Sequence, residues 1–239
     1  AAALGIPITT DFNGKARLSR PIRASEMATL TQLDLSGRGI LDLTGLEYAT
    51  NLRFLNLSNN FVAAQLSSIT TLQERTSQNA QLDLDSPLGL SHLEYLAIDN
   101  TGISNLLPIA GLHSMLGMSA DYTTIVDLSP LTDWKDLEFL SVDNSLTYTA
   151  GARLSNLYPL AGLSELRALS LSGQNISNVY PLGYLDELRY LYLHNNFIAD
   201  VQGLTNIRLV NNGSVGYSEA GDGWLGDRNT AAFSGDYRL

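Results

Sequence analysis

Cysteine is absent from all 239 residues. That absence removes a disulfide framework, a thiolate metal site and a cysteine nucleophile, and leaves burial to hold the fold together. No apolar run approaches the roughly 20 residues that a membrane-spanning helix needs, so nothing predicts insertion into a bilayer. Basic residues are scarce, with 14 Lys and Arg against 24 Asp and Glu and a formal charge of -10. A surface of that sign repels phosphate backbones and anionic lipid, so charge-driven binding to nucleic acid or to a membrane surface has no electrostatic basis. The chain opens Ala1-Ala2-Ala3-Leu4-Gly5, without an initiator Met or a charged-then-apolar leader, and reads as a piece of a longer precursor.

What the chain does have is a repeat. Leu166, Leu169 and Leu171, followed by Ile176, Val179, Leu182 and Leu185, recur as Leu188, Leu191 and Leu193, followed by Ile198, Val201 and Leu204, a period of 22. The same frame fits Leu30-Leu33-Leu35, Leu52-Leu55-Leu57, Leu93-Leu96-Ile98 and Met115-Met118-Ala120. Two repeats are irregular. One near Leu72 has Arg75 and Ser77 where leucine is expected, and one beginning at Leu137 carries about seven extra residues around Thr147 to Arg153. About eight repeats are counted in all.

Apolar residues at intervals of two make a short strand, and the later apolar positions fold the chain back so that their side chains fill the same interior. One such unit cannot close a core, but a stack of them can. Stacking predicts a solenoid with a parallel sheet on its concave side and a continuous Leu/Ile interior. The returns Asp127-Leu128-Ser129-Pro130-Leu131, Leu157-Tyr158-Pro159-Leu160 and Val179-Tyr180-Pro181-Leu182 put proline on the convex side, where an extended or single-turn segment needs no amide donor. Short 3-10 or extended segments are expected there rather than long helices.

The pattern Leu-x-x-Leu-x-Leu-x-x-Asn-x-Ile/Val, with Asn60 and Asn196 in the asparagine slot and Pro-Leu in the return, resembles the 22-residue class of bacterial internalin-type leucine-rich repeats over residues 30–207. Arg38, Thr101, Thr123, Ser145 and Gln174 occupy the asparagine slot elsewhere, so no continuous asparagine ladder is expected. Residues 1–29 read as an N-terminal flank, part of a truncated cap. Ala3 to Met27 and Gly37 to Leu52 resemble the start of repeat domains in large exported bacterial proteins. Beyond Ile207 the pattern stops. Residues 208–239, with Val210 to Ser218 and Gly235 to Arg238, resemble the opening of golvesin or xanthan-lyase-type accessory β domains; the alternative is a Gly-rich cap over the last repeat.

On each strand the residues between core leucines point to the concave surface. The first such position reads Gln32, Phe54, Tyr95, Gly117, Phe139, Ala168 and Tyr190, and the second Asp34, Asn56, Ala97, Ser119, Ser141, Ser170 and Tyr192. Phe54, Tyr95, Phe139, Tyr190 and Tyr192 are therefore expected to be exposed on one face, as anchors for recognition or as cross-strand stacks that stiffen the sheet. The position after the last strand leucine reads Ser36, Ser58, Asp99, Asp121, Asp143, Ser172 and His194. Three aspartates on successive strands repel one another. Relief is expected from local amides, raised proton affinity, a basic partner or a cation. Asp99, Asp121 and Asp143 form the one Ca²⁺ candidate, although the Asp-x-Asp-x-Asp loop with its bidentate Glu is missing.

Catalysis finds little support in the sequence. His92, His113 and His194 lie in different repeats with no metal-ligand spacing. His194 belongs on the concave face near Tyr192, and pairing it with Ser172 is one free choice among many serines. No glycine loop follows a strand in the pattern that cradles phosphates, and no cofactor is implied. The internalin resemblance implies a non-catalytic, secreted or cell-surface adhesion module that recognises a protein through its concave face. Two alternatives stand beside it: a glycan-binding accessory module of a secreted enzyme, and an architectural or self-assembling surface protein associating through its open solenoid ends.

Overall fold

In a computed structural model of the chain, the described residues are 8–10, 16–18, 22–40, 43, 45–60, 89–144, 153–205 and 207. An antiparallel pair, β1 (Ile8–Thr10) and β2 (Ala16–Leu18), and a single helical turn, α1 (Ala24–Met27), precede the repeats. Glu26 caps that turn by accepting a hydrogen bond from the Arg23 amide at 2.9 Å.

Seven strands of three residues follow: β3 (Gln32–Asp34), β4 (Phe54–Asn56), β5 (Tyr95–Ala97), β6 (Gly117–Ser119), β7 (Phe139–Ser141), β8 (Ala168–Ser170) and β9 (Tyr190–Tyr192). They form one parallel sheet in chain order. The register aligns Leu33, Leu55, Leu96, Met118, Leu140, Leu169 and Leu191. These residues turn inward, and from Leu55 to Leu169 each is at most 1% exposed. The repeat pattern therefore produces the leucine-rich-repeat solenoid expected of it.

β4 hydrogen-bonds directly to β5, with Phe54 opposite Tyr95. Those residues are 41 apart, against the usual 22 that separate Tyr95 from Gly117. The irregular repeat near Leu72, with Arg75 and Ser77 where core leucines are expected, falls in that interval. Residues 61–88, where that repeat falls, lie outside the described residues.

After a first 3-10 turn at Leu46–Tyr48, the later convex returns are 3-10 turns at Leu107–Ile109, Ser129–Leu131, Tyr158–Leu160, Tyr180–Tyr184 and Gln202–Leu204. Each is entered through the same device. Asn105, Asp127, Asn156, Asn178 and Asp200 accept, on Oδ1, a hydrogen bond from the amide two residues on, at 2.8–3.1 Å. The side chain thus satisfies a donor that the short turn leaves without a backbone acceptor. In four of the five turns proline then fills the second position, where no donor is required. Trp134 takes an inner return position and is fully buried, while its indole N–H finds no acceptor among the described residues.

After six of the seven strands, all but β7, the chain turns through a left-handed residue. Gly37, Asn59, Asn100, Tyr122, Gly173 and Asn195 all have φ between 53° and 68°. Glycine and asparagine tolerate that region, but Tyr122 adopts it against its own preference.

Candidate functional site

The register places Phe54, Tyr95, Gly117, Phe139, Ala168 and Tyr190 in one transverse row across the sheet, with Asn56, Ala97, Ser119, Ser141, Ser170 and Tyr192 in the next. These are the two concave rows read from the sequence. Phe54, Tyr95, Tyr190 and Tyr192 are half-buried rather than fully exposed. Phe139 departs further from expectation, at 4% exposed. Its register neighbours are the small residues Gly117 and Ala168, so the ring can lie down on the sheet instead of standing off it. A Cβ added to Gly117 would sit 2.9 Å from Tyr95 Cδ1 and 3.6 Å from Phe139 Cδ1. Both rings thus lean toward the strand that has no side chain to hold them apart. The middle of the second row is also withdrawn from solvent, since Ser119 and Ser141 are both 0% exposed.

Asp99, Asp121 and Asp143 do form a column, two residues past the ends of β5, β6 and β7, but it does not project into solvent. Asp99 and Asp121 are buried, and Asp143 is partly so. Each carboxylate is held by the repeat that follows. Asp99 Oδ1 accepts from Ser119 Oγ at 2.5 Å and from the Asp121 amide at 2.8 Å. Asp121 Oδ1 accepts from Ser141 Oγ at 2.6 Å and from the Asp143 amide at 2.8 Å. Asp143 Oδ1 accepts from Ser170 Oγ at 2.7 Å and from the Ser172 amide at 2.6 Å. Closure of each turn by its own backbone occurs instead one column in, where Asp34 accepts from the Ser36 amide and Asn56 from the Ser58 amide. The serines that complete this ladder lie two residues before each acceptor's counterpart in the next repeat. In the sequence that makes Asp99 to Ser119, Asp121 to Ser141 and, across the insertion, Asp143 to Ser170 a readable spacing that was missed.

Burial pushes all three carboxyls above the usual carboxylate range. Asp121 goes furthest, to about 7, because it is buried and also faces Asp143 and Asp99. Hydrogen bonds from serines and amides pull in the opposite direction, and at Asp143 the charge of His194 does so too. His194 itself is exposed beside Tyr192, whose hydroxyl is pushed up by burial and by the Tyr190 phenol. Among the described residues no group of three or more His, Asp or Glu side chains has the geometry to hold a metal ion.

Arg153 donates to the carbonyl oxygens of Asn144 and Gly173, so its guanidinium ties the end of the insertion to the strand-end turns. Residues 145–152 of that insertion lie outside the described residues. The asparagine slot works where asparagine is present: Asn60 Nδ2 donates to Leu35 O and Leu57 O, and its Oδ1 accepts from the Ile40 amide. Asn196 repeats this with Leu171, Leu193 and Ile176, and Gln174 reaches Val142 O and the Leu154 amide in the same way. Thr101 and Thr123 donate only within their own repeat, to Ile98 O and Ala120 O.

A second aromatic group, on the convex side, was not anticipated. Tyr158, Tyr180 and Tyr184 are 62%, 59% and 57% exposed, and Tyr180 and Tyr184 meet edge to face with ring centroids 6.1 Å apart. They stand on the Asx-capped turns, and the Tyr-Pro-Leu sequence of two of those turns was the signal available for them.

No family model and no curated protein matches the chain. Among solved structures, it superposes on internalin C2 of Listeria monocytogenes with a TM-score of 0.59 and 24% identity, covering 82% of each chain. Another Listeria monocytogenes internalin, inlF, gives a TM-score of 0.45 at 22% identity, covering 83% of this chain and 70% of that one. The first likeness, together with the seven-stranded sheet and its 3-10 returns, makes the fold that of an internalin-type leucine-rich-repeat domain.

Proposed function

We propose that the domain is a non-catalytic binding module that recognises a protein partner outside the cell through the concave face of its sheet. The observation that carries this reading is the transverse alignment of Phe54, Tyr95, Phe139 and Tyr190, with Tyr192 and His194 beside them, on one rigid surface. Aromatic side chains supply much of the energy of protein interfaces at low entropic cost, because they carry large area on few rotatable bonds. β4, β5 and β7 are fixed by the ladder on both sides and β9 by its pairing with β8, with the core behind. The partially buried rings toward the two ends of the row, Phe54 and Tyr95 at one and Tyr190 and Tyr192 at the other, are the contact points proposed, with Asp99, Asp121 and Asp143 shaping the polar edge between them.

The convex tyrosines support a second reading, in which Tyr158, Tyr180 and Tyr184 make the contact. Their exposure favours it. An array of extracellular proteins, probed with the whole chain and with two variants, separates the readings. Replacing Tyr190 and Tyr192 by Ala should weaken capture by roughly 2 kcal/mol or more with little change in melting temperature. Loss of capture only in the Tyr158/Tyr180/Tyr184 variant would move the site to the convex side. Retention by both variants would remove both readings.

A further inference from the structure

We propose that the Asp99–Asp121–Asp143 column is a proton-holding device that makes the central repeats tighter in mild acid than at alkaline pH. Three carboxyls stand at the ends of consecutive strands, and their hydrogen-bond partners are neutral: Ser58, Ser119, Ser141 and Ser170 hydroxyls and the amides of Asp121, Asp143 and Ser172. The elements packed against the column bring few charges to it. On the β4 side stands Ser58, and the charged groups acting on Asp121 are Asp99 and Asp143 themselves. From β9 His194 acts on Asp143, while Arg153 is turned to the Asn144 and Gly173 carbonyls. The ion pairs Arg53–Glu94 and Arg167–Glu138 belong to residues at the opposite, entry end of the strands.

Neutral donors stabilise a buried anion, yet they do not cancel the repulsion between stacked anions in a poorly hydrated row. One proton on the middle carboxyl removes both repulsions at once. The sign follows from linkage. A carboxyl whose proton affinity is higher in the folded chain than in the unfolded one binds more protons when folded. Stability is therefore greatest below the unfolded value and falls as pH rises toward the folded value, near 7 for Asp121. The domain should thus lose stability from pH 4.5 to pH 8, the reverse of the trend set by a salt-bridged carboxylate.

The test is urea unfolding of the whole chain between pH 4.5 and pH 8.5, for the wild type, Asp121→Asn and the control Asp133→Asn. Asp133 is exposed, so its substitution removes the same unit of charge away from the column. The expected result is a wild-type midpoint that falls with pH, a flattened profile with a higher midpoint at pH 8 in Asp121→Asn, and a wild-type slope in Asp133→Asn. The amide keeps an acceptor for Ser141 and Asp143 while mimicking a protonated acid. Carbon-detected NMR titration of the aspartate carboxyls in the wild type keeps the proposal testable should Asp121→Asn not fold, with one carboxyl expected to titrate near neutrality. A wild-type midpoint that is flat or rises with pH, an unchanged slope in Asp121→Asn, or three carboxyls that all titrate below pH 5 would each overturn it.

Discussion

Leu169→Ala is the sharpest probe of the packing. Leu169 is 0% exposed and lies in register between Leu140 on β7 and Leu191 on β9. The substitution removes three carbons. At about 0.8 kcal/mol for each buried carbon the transfer contribution is roughly 2.4 kcal/mol. The cavity cannot close freely, because Leu140 is held by backbone pairing on both sides of β7 and Leu191 by the pairing of β9 with β8. A cavity contribution of about 1–2 kcal/mol brings the expected cost to about 3–5 kcal/mol. Leu191 supplies the comparison, since it occupies the equivalent position on β9 but is only partly buried. Leu191→Ala should cost roughly half as much. Equilibrium urea unfolding followed by far-UV circular dichroism measures both, provided the transitions remain single. Equal costs, or a Leu169→Ala cost below about 1 kcal/mol, would refute the packing argument.

Other substitutions test the polar scaffold. Asn60→Ala removes an amide that links Leu35 and Ile40 of one repeat to Leu57 of the next, and should destabilise by about 2–3 kcal/mol, against about 1 kcal/mol for Thr101→Val, which breaks one bond within a repeat; calorimetric melting decides. Tyr122→Asn relieves a left-handed tyrosine with φ 55° and should stabilise by about 0.5–1 kcal/mol in the same experiment. Gly203→Ala should loosen the last return, because an added Cβ would stand 2.5 Å from Tyr180 Cα; faster amide exchange confined to Gln202–Leu204 and the adjoining Tyr180–Tyr184 turn is the expected signature.

Much of this architecture was legible in the sequence because a repeat states its register many times over. The inward row from Leu33 to Leu191 and the proline returns follow from spacing alone. The proton-holding column was legible only as three aspartates in line. Alternation assigns them to a surface, but not the depth at which neighbouring serine hydroxyls hold them. Phe139 fails for a related reason: whether a ring stands or lies depends on the size of its cross-strand neighbours, Gly117 and Ala168, which a single strand does not reveal. The repeat near Leu72 lies outside the described residues, and in the sequence Arg75 and Ser77 already break its core pattern. The convex tyrosines follow no core spacing, since Tyr158 and Tyr180 precede the return prolines at outward positions that the repeat pattern leaves unspecified.

Hydrogen exchange on the domain, free and bound to a captured protein partner, tests the central claim most directly. The account predicts protection on binding at the strand-end amides of β4, β5 and β9, around Phe54, Tyr95, Tyr190 and Tyr192, with the Tyr158–Leu160 and Tyr180–Tyr184 turns unchanged. Protection confined to those convex turns, with the sheet edge exchanging as in the free chain, would contradict it.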